Sequence, residues 1–278
     1  GGRLSGQSSV VQLDAWNWED AAVKTDDGHH LRWPRRRSYN WRQGQWTENK
    51  DYPQDVQAVE DFLRQAKAYC NSDAEERNLR LDAACGLFSG EQRLFVHANL
   101  AADIQQAVLL TKSLGVKMVL VGGTESYLLA DMLADYEVPV IVGPTHGLPN
   151  TLDSDVDQVF KTPAMLHEAG VDFCLSNDGF WQQRNLPFQA GSAVAYGLPY
   201  EAAVEALTLG TARILGIDDE VGSLEVGKTA SLIITEGDAL DMRTNTVEHA
   251  FISGREISLD NKQDQLYRRF KTKYERQK

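Results

Sequence analysis

The segment that decides the fold reads Val-Asp-Phe-Cys-Leu-Ser-Asn-Asp-Gly over residues 171–179. It begins as an apolar run of strand length, which is typical of a strand buried on both faces of a parallel sheet. It ends in a single carboxylate, Asp178, where the strand gives way to a loop. Catalytic residues of a (β/α) barrel lie at the carboxyl ends of its strands, so Asp178 is a candidate catalyst. Asn-Asp-Gly is also ordinary turn chemistry, so these residues alone leave both interpretations open.

Strand and helix patterns alternate regularly upstream of this segment. This order predicts parallel βα units, either in a closed barrel or in an open doubly wound sheet. No Gly-x-Gly-x-x-Gly follows any of the strands, which argues against a dinucleotide-binding fold. The predicted strands are Arg93–His97, Lys117–Gly122 and Pro139–Gly143, and helices are predicted over residues 102–114, 126–136 and 162–168.

The chain changes character after Asp178. Two or three helices are predicted between residues 188 and 215, followed by a turn-rich β segment. The basic terminal helix is more typical of a solvated tail than of a nucleic-acid-binding element. We therefore predict an α/β portion over residues 1–216, a β portion over 217–258 and a basic helical tail over 259–278.

The N-terminal region is less regular. A short strand is predicted over residues 8–13, whereas residues 15–52 show neither helical nor strand periodicity and are predicted to form a long, tryptophan-rich loop. The arginine cluster at 35–37 either grips an anionic ligand or is a solvated charge run. His29 and His30 are not interpreted as a metal motif, because adjacent side chains of an extended chain point apart.

Composition excludes several classes of protein. The net charge of −12 argues against a nucleic-acid-binding surface, and no apolar run is long enough to span a bilayer. The three cysteines are an odd number without a Cys-x-x-Cys pair, so neither a disulfide framework nor a zinc knuckle is predicted. These features describe an ordinary soluble protein, and they leave both the cytoplasm and the periplasm open as its location.

Four features of the chain belong together. They are His97 at the carboxyl end of a strand, Asp178 at the end of the last strand, the helical run over 197–216, and Gly-Ser-Leu-Glu-Val-Gly-Lys-Thr-Ala-Ser-Leu over 222–232. Together they resemble the C-terminal half of the amidohydrolase superfamily, in particular its imidazolonepropionase-like members. The resemblance spans residues 94–257, and its fourth feature is highly specific.

The resemblance implies an α/β fold of the (β/α)8 TIM-barrel type, of which this chain covers only part, with a small β-sandwich at the C-terminal end. Family members hydrolyse C–N bonds in amide or peptide-like small molecules. They use one or two divalent metal ions, often zinc, at the carboxyl face of the barrel. On this interpretation Asp178 is the general acid and base and a candidate metal ligand. His97 is a metal ligand or a contact to the substrate carbonyl.

The sequence departs from the family pattern in two ways. The family's first strand carries His-x-His, which is absent from this sequence, and the expected histidine of the sixth strand is replaced by Val-Gly-Gly-Thr-Glu over 121–125. Five barrel strands are recognisable where a closed barrel needs eight. We therefore expect an N-terminal portion of the same protein, outside this chain, to supply the missing strands and ligands. On this expectation the residues of this chain alone hold an incomplete metal site or none.

Four further residues are candidate substrate contacts. His146 follows a predicted strand and either faces the substrate or is an ordinary loop histidine. Arg184 and Asn185 either recognise a substrate carboxylate or hold the loop after Asp178. Glu125 either reaches the site or serves a helix N-terminus.

Two functions follow from these observations. The first is a metal-dependent amidohydrolase that acts through a metal-activated water. The alternative is a metal-free relative that keeps the fold as a binding or scaffold protein. Homo-oligomer formation stays open, and substrate identity is set by loops whose structure the sequence does not predict.

Overall fold

The computed structural model describes residues 4–13, 15–72, 76–148 and 154–276. The described strands are, in chain order, β1 (Leu4–Val11), β2 (Ala22–Arg32), β3 (Arg37–Asn40), β4 (Gln45–Glu48), β5 (Arg93–Ala98), β6 (Met118–Gly122), β7 (Val140–Val142), β8 (Phe173–Leu175), β9 (Leu232–Glu236), β10 (Thr246–Ile252) and β11 (Arg255–Glu256). The described α-helices are α1 (Trp18–Ala21), α2 (Tyr52–Cys70), α3 (Leu79–Asp82), α4 (Cys85–Ser89), α5 (Ala101–Leu114), α6 (Ala130–Asp135), α7 (Gln158–Glu168), α8 (Leu186–Ala195), α9 (Tyr200–Glu205), α10 (Leu209–Leu215) and α11 (Lys262–Glu275). Short 3-10 helices lie at Ser126–Leu129 and Gln183–Asn185.

A six-stranded sheet positions the candidate site. Its strand order is β1-β2-β5-β6-β7-β8, with β1 antiparallel to β2 and the other neighbours parallel. At least one helix separates each pair of consecutive parallel strands along the chain. This confirms the predicted mixed α/β fold with a parallel sheet. Because the five parallel strands point the same way, their carboxyl ends meet at one edge of the sheet.

The prediction of a long loop over residues 15–52 was wrong. Residues 22–32 form β2, the longest strand of the main sheet, and residues 37–48 form the hairpin of β3 and β4. The strand escaped recognition because its centre is polar, with Asp26, Asp27, His29 and His30 where an apolar run was expected. Pairing with β1 on one side and β5 on the other satisfies its backbone, so the strand forms without an apolar pattern.

The two faces of the main sheet carry different side chains, as the alternation of a strand requires. On β5, Leu94 and Val96 belong to the large core shared with the helices. Phe95 faces the other way and joins a smaller cluster with Val119, Cys174 and Ile214 of α10. His97 follows Phe95 by two residues and therefore shares this second face.

A disulfide joins Cys70 at the end of α2 to Cys85 at the start of α4, with the two Cα atoms 5.5 Å apart. The prediction that the cysteines form no disulfide was therefore wrong for this pair. Spacing along the chain carried no signal, because the packing of α2 against α3 and α4 is what brings the two residues together. Cys174 is a free, buried thiol.

The C-terminal residues form a separate antiparallel sheet in the order β11-β10-β9, and then the exposed helix α11. Both elements were predicted, although the boundaries at 216 and 258 stay predictions. Among the described helices, none combines the length and apolar character needed to cross a membrane.

Candidate active site

Two histidines meet at the carboxyl ends of neighbouring strands. The Nδ1 atom of His30 on β2 lies 2.9 Å from the Nε2 atom of His97 on β5. The His30 ring also stacks on Phe95, with ring centroids 4.9 Å apart and planes inclined by 11°. Because Phe95 is buried in the small cluster, it provides a fixed support for the His30 ring.

Burial favours the neutral form of both imidazoles. Burial lowers the pKa of His30, an effect that the Asp27 carboxylate opposes and His29 strengthens. Burial also lowers the pKa of His97, and the nearby His30 and Arg32 lower it further. A neutral imidazole keeps a ring nitrogen lone pair, which a metal ion requires of a histidine ligand.

Asp178 lies just beyond β8 on an exposed loop. Its charge raises the pKa of His97 against the larger lowering effects, so the carboxylate lies within electrostatic range of the histidine pair. The turn in this loop is formed by the residues next to Asp178. The Asn177 side-chain amide donates to the Gln182 carbonyl at 2.6 Å, and Gly179 adopts a φ of 87°. The Asp178 carboxylate itself has no hydrogen-bond or ion-pair partner among the described residues, so it is available for chemistry.

Glu125 serves a helix terminus. Its Oε2 atom accepts a hydrogen bond of 2.7 Å from the backbone N–H of Ala101, the first residue of α5. The first N–H groups of a helix have no partner within the helix and favour a negative charge. The geometry therefore favours the helix-terminus interpretation over a contact with substrate.

The remaining candidates lie on loops and short helical turns. His146, after β7, shares a 2.7 Å hydrogen bond between its Nε2 atom and Ser192 Oγ, and it is exposed. Arg184 is exposed and Asn185 is half-buried in the 3-10 helix that follows the Asp178 loop. None of the three contacts the histidine pair in the part of the chain that is described, and their roles in substrate binding stay predictions.

His30 was not among the site residues predicted from the sequence. The rule that adjacent side chains point apart was correct, because His29 is buried on the opposite face and its Nε2 atom lies 2.7 Å from the Ala83 carbonyl oxygen. That rule does not prevent one of the two, His30, from pairing with His97 on the neighbouring strand. Side-chain alternation along β2 would have placed His30 and His29 on opposite faces of the sheet. That inference was possible only once β2 had been recognised as a strand.

The histidine pair fits part of a metal site. Two nitrogen ligands of a tetrahedral zinc ion lie about 3.3 Å apart when each is about 2.0–2.1 Å from the metal. The observed 2.9 Å is a hydrogen bond in which one of the two nitrogens carries the proton. To hold a metal, that ring would have to adopt its other tautomer, and the two nitrogens would have to move slightly apart. No three His, Cys, Asp or Glu side chains converge within residues 4–13, 15–72, 76–148 and 154–276. The described residues thus bring together two imidazole nitrogens, with the Asp178 carboxylate within electrostatic range.

Comparison with known proteins places these features in a family. The family model described as the amidohydrolase family matches residues 53–257, a region that contains His97 and Asp178 but begins after His30. Amidohydrolase tasK of Hapsidospora irregularis is 28% identical over 124 residues, which are 39% of this chain and 12% of that protein. The chain therefore spans about one eighth of the length of this curated relative.

Solved structures agree with the family match. An amidohydrolase from Thermotoga maritima MSB8 superposes with a TM-score of 0.80 at 26% identity, over 92% of this chain and 69% of that one. A Xaa-Pro dipeptidase with bound methionine in its active site shares the fold, with a TM-score of 0.54 at 19% identity over 87% of this chain and 56% of that one. Since the family model covers most of the chain, the chain belongs to the amidohydrolase family.

Proposed function

We propose that this chain is the catalytic part of a metal-dependent hydrolase that cleaves a C–N bond in a small amide or peptide-like substrate. The observation that carries the proposal is the convergence of the His30 and His97 nitrogens, 2.9 Å apart, at the carboxyl edge of a parallel sheet. Membership of the amidohydrolase family supports hydrolase activity in general terms. The metal, the bond and the roles of the residues are our proposal.

His30 and His97 would hold a divalent metal ion, which we expect to be zinc because paired imidazoles suit its ligand preferences. Asp178 is the candidate third ligand. When bound, such an ion lowers the pKa of a water molecule towards neutrality and polarises the substrate carbonyl.

Asp178 would move the proton. Its carboxylate oxygen accepts a proton from the attacking water and returns it to the leaving nitrogen, a general acid–base role. The bond between Asn177 and Gln182 holds the loop that presents this carboxylate. His97 keeps its ring nitrogen directed into the site through its contact with His30.

We further propose that the described sheet is part of a (β/α)8 barrel and that β9 to β11 are part of a β-sandwich. One support is the number of ligands, because two histidines and one acid do not complete a family metal site. The other is the number of strands, because β1 and β8 are the edges of a six-stranded sheet. An N-terminal portion of the same protein would supply the remaining strands and ligands.

The test uses the complete protein, with metal content and hydrolysis of a panel of N-acyl amino acids and dipeptides measured together. Asp178→Asn is expected to lower kcat about 10²- to 10⁴-fold, the usual contribution of a general acid–base residue. His30→Asn and His97→Asn are expected to lower metal content, whereas the exposed His167→Asn on α7 is a matched control that leaves it unchanged. Undiminished hydrolysis by Asp178→Asn would overturn the assignment.

The second candidate is a metal-free binding or scaffold protein. It is favoured by the absence of three convergent ligand side chains among the described residues. This alternative predicts that the complete protein binds amides or peptides in calorimetry without hydrolysing any of the panel, even when zinc is added.

A further inference from the structure

The β3–β4 hairpin carries an exposed aromatic cluster that the proposed chemistry does not use. Tyr39 on β3 lies opposite Trp46 on β4, with ring centroids 5.4 Å apart. The Tyr39 ring also contacts Trp41 at 4.8 Å. Trp41 is 88% exposed and Trp46 65% exposed. We refer to residues 33–51, which contain this hairpin, as the aromatic arm.

The arm has one aromatic face and one hydroxyl face. Side chains alternate along a strand, so Arg37 and Tyr39 lie on one side of the hairpin and Ser38 lies on the other, where its hydroxyl faces that of Thr47 at 3.4 Å. A solitary two-stranded hairpin is only marginally stable, and the cross-strand pair of Tyr39 and Trp46 supports it. Trp41 is the most exposed of the three rings.

The base of the arm is fixed beside the candidate site. The backbone N–H of Trp33 donates to the carbonyl of His97 at 3.1 Å, so the chain leaves β2 next to the histidine pair. Arg36 then forms an ion pair of 2.7 Å with the buried Asp103 and lies over the Tyr52 ring. The arm therefore stands on the carboxyl edge of the sheet, where the loops of such folds form substrate pockets.

The charge of the arm is opposite to that of the chain. It has five basic and two acidic residues, whereas the whole chain has 28 basic and 40 acidic residues. Arg37 shares the aromatic face and is exposed, with Glu48 opposite it in register but no ion pair between them. An exposed guanidinium beside aromatic rings suits a ligand that combines a carboxylate with an apolar group.

A second aromatic pair lies across the site. Phe180 and Trp181 follow Asp178 after Gly179, are 79% and 69% exposed, and have ring centroids 5.1 Å apart. Because they follow β8 at its carboxyl end, they occupy the same edge of the sheet as the arm. The loop after β8 therefore adds a second pair of exposed aromatic rings to this edge of the sheet.

We propose that the aromatic arm recognises the substrate and that the substrate class is an amide carrying both a bulky apolar acyl group and a carboxylate. Trp41 and Trp46 contact the acyl group, and Arg37 binds the carboxylate. This inference rests on the proposed amide hydrolysis, whose site it deepens.

The test compares N-benzoyl and N-acetyl derivatives of the same amino acid on the complete protein. Trp41→Ala is expected to raise KM for the benzoyl substrate about 2- to 10-fold, the range of one aromatic contact, with little change in kcat or in KM for the acetyl substrate. Arg37→Gln is expected to raise KM for the free carboxylate but not for its methyl ester. The control is Trp16→Ala, since Trp16 is 94% exposed and precedes the opposite end of β2.

Calorimetric binding of N-benzoyl amino acid gives a readout that does not need hydrolysis. If the wild type binds the ligand without hydrolysing it, the proposed function fails, and loss of binding in Trp41→Ala alone still supports the arm. If Trp41→Ala and Trp16→Ala both behave as the wild type, the inference is wrong. It is also wrong if Trp41→Ala changes only the oligomeric state, because the arm would then be a contact between copies.

Discussion

At the scale of single residues, the histidine pair makes the stability of the metal-free protein depend on pH. The pKa values of His30 and His97 are lowered in the folded state, mainly by burial, so the unfolded chain binds more protons in the window just below about pH 6.5. Stability therefore falls as pH drops through that window, because folding then requires both rings to stay neutral. The contribution of the two histidines to stability is fully present at pH values above the pKa of histidine in the unfolded chain.

This dependence is measurable by urea unfolding at pH 7.5 and pH 5.5. We expect a lower midpoint at the acidic pH in the wild type and a smaller difference in the double variant His30→Asn/His97→Asn. An equal pH response in both proteins would show that other groups control it.

Gly28 is a second residue on which the site depends. A Cβ atom at this position would lie 2.3 Å from the Arg93 carbonyl oxygen and 2.7 Å from the Phe95 ring. Since the His30 ring stacks on Phe95, Gly28→Ala is expected to disturb the site as well as the β2–β5 contact. We expect a loss of about 1–3 kcal/mol in unfolding free energy, the usual cost of overpacking.

Differential scanning calorimetry measures this loss, with Gly147→Ala as the matched control. A Cβ atom at Gly147 meets only the Pro144 carbonyl oxygen at an ordinary 3.7 Å. Equal melting temperatures for the two variants would contradict the steric argument.

The roles of individual residues were predicted from sequence to different extents. His97 and Asp178 were identified because each ends an apolar run, which places it at the carboxyl edge of a parallel sheet. His30 was missed because its strand has no apolar run. The pairing of its ring with His97 depends on strand register, which becomes known only when β2 is seen beside β5.

At the scale of secondary-structure elements, Glu125 connects β6 to the start of α5. Glu125→Ala removes the acceptor for the Ala101 N–H and the negative charge at the helix N-terminus. We expect a loss of about 1 kcal/mol in unfolding free energy, with kcat/KM unchanged. Glu125→Gln keeps an acceptor oxygen and should lose less. A fall in kcat/KM without a change in stability would restore the substrate-binding role.

The elements themselves separate into predictable and unpredictable groups. β5, β6, β7 and β8 were predicted because parallel strands buried on both faces must be apolar throughout. β2 was not, because its polar residues are accommodated individually: Asp27 lies 2.5 Å from Lys24, and His29 is bonded to the Ala83 carbonyl. Such individual partners, one local and one distant along the chain, leave no periodic signal in a sequence.

At the scale of the whole molecule, apolar side chains remain partly exposed on the main sheet and on the three-stranded C-terminal sheet. Val121 and Ile141 on the second face of the main sheet are half-buried, and Ile233 and Ile234 on β9 are about half exposed. Together with the edges at β1 and β8, this surface favours association. We expect the isolated 278-residue chain to self-associate in analytical ultracentrifugation and to bind a partner segment in the complete protein. A monomer that melts cooperatively would contradict this expectation.

The disulfide between Cys70 and Cys85 has a consequence for how the protein is prepared. A cross-link between residues 15 apart contributes about 3 kcal/mol by the chain-entropy argument, so material made in a reducing cytosol would unfold at a lower urea concentration than material made under oxidising conditions. Thiol additives, often used to protect cysteines during purification, would here break the covalent bond between α2 and α4, while the remaining Cys174 is already shielded by burial. Two laboratories could therefore measure different stabilities for the same chain, and mass spectrometry of the free thiols would show which form each had studied.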